Sequence, residues 1–302
     1  MIKLLQRTGL FLCLVFIALR CYASEQIVVV YPDLEQPYSQ IFETIIEGIG
    51  SGSAELSLLK VKDKESQSVG EWFSNKKPSV IIALGSTGYR HNDQFPKDIP
   101  LVFGAVRNIP PSRSGVSLNI DPANLFHALK NTNKAYKRLY VVYNPKRYLD
   151  WIILAKSVAD DMKIEVVGFE ASSLREAMDH YKTIFDQENL EESVLWLPLD
   201  SSVVNNKVVI PYLLKESWDK NLAVASSVVG HVKRGLLMSI FPDNQAMGLQ
   251  LAQLALERHS GSVRSHSKQA RFAINTRTAR HLGIIFNEPF QEQVEIEYPS
   301  AR

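Results

Sequence analysis

Val80-Ile81-Ile82-Ala83-Leu84-Gly85-Ser86-Thr87-Gly88 decides the fold class. Five apolar residues in a row are too few for a stable helix and suit a strand buried on both faces, as in a parallel sheet. The Gly-Ser-Thr-Gly that follows ends the strand. Ile27-Val28-Val29-Val30-Tyr31, closed by Pro32, is a run of the same kind. Between the two, Ile41, Phe42, Ile45, Ile46 and Ile49 recur at helical spacing, with Ser39 as a candidate cap and Gly50-Ser51-Gly52-Ser53 as a stop. Leu56 to Val61 reads as a strand and Ser66 to Ser74 as a short helix. Pro100 to Val106 and Gly115 to Leu118 read as further strands.

The pattern then begins again. Helices are expected over 124–135, 149–162, 174–187 and 208–220. Strands are expected over 139–143, 164–169, 193–199 and 222–226. An extended segment, Gly235 to Phe241, precedes a clean helix from Ala246 to His259. Strands alternating with helices argue for parallel sheets with right-handed crossovers. Two such series without a linker predict an α/β protein of two doubly wound lobes joined by short crossing segments. No short-period repeat marks a solenoid.

Composition agrees with two globular cores. The 302 residues are 45% hydrophobic and 22% charged, which excludes a disordered chain. A formal charge of +2 carries no basic excess, so nucleic acid is not an expected partner.

Met1 to Ala23 has the layout of a secretory signal peptide. Lys3 and Arg7 form the positive region, Leu10 to Leu19 the apolar region, and Cys21-Tyr22-Ala23 a small-residue cleavage site before Ser24. Cys13 and Cys21 both fall in this segment, so the mature chain has neither a disulfide framework nor a cysteine nucleophile. The 34 basic side chains include Lys3, Arg7 and Arg20, so cleavage leaves 31 against 32 acidic ones. The expectation is a soluble periplasmic protein and a monomer.

Catalytic and cofactor motifs are missing. There is no GxGxxG, no P-loop, no GxSxG and no HExxH. The seven histidines are scattered. No enzyme activity, cofactor or metal is expected.

Loops at the carboxyl ends of strands remain, where doubly wound sheets bind ligands. Tyr38 either walls a pocket or packs as a staple on its helix. Gly85, Ser86 and Thr87 either form an anion site at a helix start or a capped turn. Ala105-Val106-Arg107-Asn108 either offers a contact, from its backbone or from a side chain, or serves structure alone. Asp200, Ser201 and Ser202 either meet a ligand ammonium or hydroxyl, or cap the next helix. Together these residues complement a zwitterion with an apolar side group, with a sugar as the competitor.

The same segments resemble the ABC-transporter substrate-binding protein family whose better-known members bind tryptophan or tyrosine. Val80 to Thr87 is similar to its strand ending in Gly-Thr. Ile99 to Val106 is similar to its Ile-Pro strand, and Ser114-Gly115-Val116-Ser117 to its short Gly-Val-Ser element. Leu139 to Pro145 is similar to the opening of its second lobe. Leu199-Asp200-Ser201-Ser202-Val203 resembles its Thr-Asp-Asn-Thr-Val loop. Lys233 to Gly248 and Asn275 to Ile284 resemble its late crossing strand and its Asn-x-x-x-Ala-x-x-Leu-Gly ending. Two positions depart from the pattern. The family's Asp-Pro after the fourth strand is Arg107-Asn108-Ile109-Pro110 here, and its Asp-Asn-Thr is Asp200-Ser201-Ser202.

The resemblance implies a type I periplasmic-binding-protein fold. The N-terminal lobe is expected over 24–118 and 242–265, and the C-terminal lobe over 119–235 and 268–302. Hinge segments are expected near 118–121, 236–241 and 265–268. It implies capture of a small molecule and delivery to an inner-membrane ABC permease. A sensory binder that presents its ligand to a membrane receptor or kinase is the alternative.

Overall fold

Val80 to Leu84 is buried at every residue, as its unbroken apolar run requires. The computed structural model describes residues 26–300 except 53–54, 63–65, 75, 77 and 258–260. The expected signal peptide, both cysteines and His259 lie outside the described residues.

The first series is β1 (Gln26–Pro32), α1 (Tyr38–Gly50), β2 (Glu55–Val61), α2 (Ser66–Ser74), β3 (Val80–Leu84), α3 (Gly85–Arg90), β4 (Leu101–Val106) and β5 (Ser114–Ile120). The second is α4 (Pro122–Lys130), β6 (Arg138–Tyr143), α5 (Pro145–Asp160), β7 (Glu165–Glu170), α6 (Leu174–Phe185), β8 (Ser193–Leu197), α7 (Val209–Asp219), β9 (Ala223–Ser226), α8 (Val229–Arg234) and β10 (Met238–Pro242). Then follow α9 (Asn244–Leu256), β11 (Arg264–Ser267), β12 (Ala270–Asn275), α10 (Thr276–His281), α11 (Glu288–Gln291) and β13 (Val294–Tyr298).

Two sheets result. One has the order β11-β5-β4-β3-β1-β2, the other β13-β12-β10-β9-β8-β6-β7. All pairings are parallel except β10 with β12. Within each, the first five strands of a series take the doubly wound order, so the strand order reverses between β1 and β3 and again between β6 and β8.

Each sheet is covered on both faces. Ile27 and Val29 face a layer containing Ile45, Ile49, Met247 and Leu251 from α1 and α9. Val28 and Val30 face the opposite layer with Val69, Phe73 and Phe95. In the second sheet Leu139 and Val141 point toward Trp151 and Ile152 of α5, and Tyr140 and Val142 toward Tyr181 and Ile184 of α6. The two-residue period of a pleated strand makes this division.

The chain passes between the sheets three times: after β5, after β10 and after β11. α9 follows β10 of the second sheet but packs on α1 of the first lobe. Gly48 and Gly248 allow that docking: a Cβ on Gly48 would overlap the Gln245 carbonyl, and one on Gly248 the Ile45 carbonyl.

Some boundaries differ from the expected ones. The helix expected over 124–135 spans Pro122–Lys130. Asp121 caps it, its carboxylate accepting from the Ala123 N–H at 2.9 Å, and residue 132 leaves helical geometry to bridge Phe286. α5 begins four residues before the expected start, because Asn144 caps it and Pro145 fits the first turn. The extended segment 235–241 is strand only from Met238.

Candidate functional site

The loop after β4, strands β5 and β11, and the start of α5 after β6 line a groove between the lobes. It holds about 800 Å³, within the range of small-molecule sites. The first lobe contributes Tyr89, Arg107, Asn108, Asn119, Arg264 and His266; the second contributes Lys146, Arg147, Leu149, Asp150 and Trp151.

Of the four loops read from the sequence, only the one after β4 lines this groove, through Arg107 and Asn108; Tyr38, Gly85, Ser86, Thr87, Ala105, Asp200, Ser201 and Ser202 are not among its lining residues. Tyr38 opens α1 and is 65% exposed. Gly85 has φ +69°, and a Cβ there would press on the Phe42 ring at 3.1 Å, so glycine is required. Ser86 accepts a hydrogen bond from Arg90 Nη2 at 3.3 Å, and Thr87 is buried. α3 has no side-chain cap, and its Tyr89 packs on Phe103 with ring centroids 5.5 Å apart.

Ala105 has φ +55° at a register shift between Gly104 and Val106. A bulge of this kind re-aims the residues after it, and Arg107 follows two residues later. Asn119 at the end of β5 holds the Arg107 backbone, its amide donating to the Arg107 carbonyl at 3.3 Å. Tyr148 of α5 in turn donates its hydroxyl to Asn119 Oδ1 at 2.9 Å, joining the lobes. Burial, and after it the charge of Asp200, hold the Tyr148 phenol far above its ordinary range, so it stays a donor.

Asp200 is 2% exposed. Its Oδ1 accepts from Arg147 Nη1 at 2.5 Å, from the Ser202 N–H at 3.0 Å and from Ser202 Oγ at 2.8 Å. Oδ2 is buried with no hydrogen-bond partner. Ser202 also accepts from Asn144 Nδ2 at 3.4 Å, whereas Ser201 is exposed. Arg147 reaches the groove from this anchor.

At the groove's other side, Arg264 on β11 pairs with Asp150 on α5 at 3.2 Å, a second link between the lobes. His266 Nδ1 lies 3.1 Å from Ser117 Oγ. Burial holds the His266 imidazole below its ordinary pKa, against the opposing pull of Asp121 and Asp150, so it is neutral near pH 7.

Four loops are singled out in sequence, and a fifth, Asn144-Pro145-Lys146-Arg147 after β6, also lines the groove, through Pro145, Lys146 and Arg147. Its position at a strand's carboxyl end is the signal that marks it. Arg264 and His266 have no such signal, because β11 is a short polar segment. Among the described residues no group of three or more His, Cys, Asp or Glu side chains is placed to hold a metal ion.

A second cavity, of about 770 Å³, lies within the second lobe at the opposite strand ends, with Trp218, Leu222, Leu236 and Tyr298 in its wall. Only one lobe lines it.

No family model and no curated protein matches the chain. Solved structures do. A ligand-free, open substrate-binding protein with adhesive properties from Clostridium difficile aligns with a TM-score of 0.61 at 17% identity, over 90% of this chain and 98% of that one. An ABC domain from Streptococcus pneumoniae in complex with L-Trp aligns at 0.55 and 14% identity, over 91% and 100%. A conserved domain protein from Vibrio cholerae aligns at 0.53 and 18% identity, over 91% and 99%. These identities establish architecture alone. Two parallel-dominated sheets, three crossings and these alignments together give the chain a fold of the type I periplasmic-binding-protein kind.

Proposed function

We propose that this protein captures a small solute between its two lobes and delivers it to an inner-membrane ABC permease. The groove of about 800 Å³, lined from both lobes, carries this reading. A ligand touching both walls favours the closed arrangement by its added contacts. Closure is a rotation at the three crossings, near 120–121, 242–243 and 267–270, where few residues need to change conformation. The solute-binding likeness of the structural neighbours supports a binding role. Export with cleavage after Ala23 would put the mature chain in the periplasm, beginning at Ser24.

Native mass spectrometry of the mature protein, incubated with a metabolite extract of its host, tests the reading. A retained small molecule, with a smaller radius of gyration by solution scattering, is the expected result. No retained molecule and no compaction would refute it. Loss of uptake of that solute on deleting a neighbouring permease gene marks the importer. A neighbouring sensor kinase whose output follows the solute marks the sensory alternative.

A further inference from the structure

The charges in the groove do not balance. Four cations line it: Arg107 and Arg264 from the first lobe, Lys146 and Arg147 from the second. Arg264 is matched by Asp150, and Arg147 by Asp200. Arg107 and Lys146 have no ion pair and no side-chain hydrogen bond among the described residues. Both are exposed in the groove, one on each wall.

Local structure adds to the excess. Lys146 sits in the first turn of the 16-residue α5, which has no acidic residue there. The positive end of a helix dipole favours anions, so a lysine at that place raises the potential further. Neutral His266 offers no compensation. Closing the lobes over a neutral solute would bring the two unmatched cations into a drier space, which is costly. An anion between them reverses the sign of that term.

We propose that the solute is a small organic dianion, its two negative charges met by Arg107 of one lobe and Lys146 of the other. The half-exposed Tyr89 ring supplies a wall for its carbon body. Asp200 is then a positioning residue: it anchors Arg147 at the groove's edge and does not meet a ligand ammonium. This inference rests on the solute-binding reading.

Calorimetry and thermal shift test it with succinate and glycerol 3-phosphate as dianions, tryptophan as a zwitterion and ribose as a neutral solute. The comparison uses wild type, Arg107→Gln, Lys146→Gln and Lys156→Gln, the last an exposed residue of α5 outside the groove. At least one dianion should bind. Arg107→Gln and Lys146→Gln should each weaken it about tenfold or more, and Lys156→Gln should leave it unchanged. Where no probe binds, the charge of the molecule retained from extract decides: a dianion supports the proposal. Tight binding of tryptophan or ribose in preference to the dianions overturns it and leaves solute capture standing. So does a neutral or zwitterionic retained molecule, or dianion binding indifferent to both variants. Failure of every probe together with no retained molecule overturns both readings.

Discussion

Arg147 and Asp200, 53 positions apart, form an ion pair in which the aspartate side chain is fully buried and the arginine side chain is 40% exposed. The two partners are therefore unequal. Arg147→Ala leaves a buried carboxylate without its counter-charge and should cost about 3 kcal/mol. Asp200→Ala leaves a cation that water can reach and should cost about 1–2 kcal/mol. Urea unfolding of both variants checks the order; a larger loss for Asp200→Ala would contradict it.

Gly48 and Gly248 seat α9 on α1. Added methyls meet backbone carbonyls, which cannot move aside as a flexible side chain does. Gly48→Ala and Gly248→Ala should each destabilise the protein by about 1–3 kcal/mol or more. Gly230 has open space around its Cβ direction, so Gly230→Ala serves as the control and should not show this loss. Equal melting temperatures for all three would disprove the close approach.

His231 is 3% exposed, its Nε2 2.7 Å from Asn206 Oδ1 and its Nδ1 2.8 Å from Ser226 Oγ. Asn206 accepts the Nε2 proton, and Ser226 donates to Nδ1, which fits a neutral ring. Burial first, and the charge of Arg234 second, lower its pKa to about 4 from 6.5. The unfolded chain thus binds more protons between these values. Stability is unaffected above about pH 6.5 and falls by up to about 3 kcal/mol as pH drops toward 4. His231→Gln should flatten that part of the profile in urea titrations at pH 7 and pH 5. An unchanged slope would assign the acid sensitivity elsewhere.

Tyr148 and Asn119 are both buried and hydrogen-bonded across the lobes. Tyr148→Phe removes the only hydroxyl reaching Asn119 Oδ1 among the described residues. The expected cost is about 1–2 kcal/mol, and Asn119→Ala in the Tyr148→Phe background should then cost less than it does alone. Additive losses in this double-mutant cycle would show that the bond contributes nothing.

Much of the fold was legible in the residues themselves. Runs such as Val80 to Leu84 and Leu139 to Tyr143 report burial on both faces, and the Gly, Pro and Asn residues after them report where each strand stops. Local burial pattern and turn chemistry are properties of a few neighbouring residues, so sequence alone determined the two alternating series and the places where strands give way to loops. Val294–Tyr298 alternates apolar and acidic residues, a strand signal of the same local kind.

Pairings between distant residues are another matter. Nothing in Arg264-Ser265-His266-Ser267 has an apolar period, and only packing beside β5 makes it a strand. Asp200 reads in sequence as a ligand contact or a cap; its ion pair with Arg147 appears only in the tertiary structure, which places α5 against the loop after β8. The unmatched charges of Arg107 and Lys146 likewise became visible only when the two lobes met. Each lysine or arginine is ordinary in sequence, and its significance depends on which carboxylates the fold brings within reach.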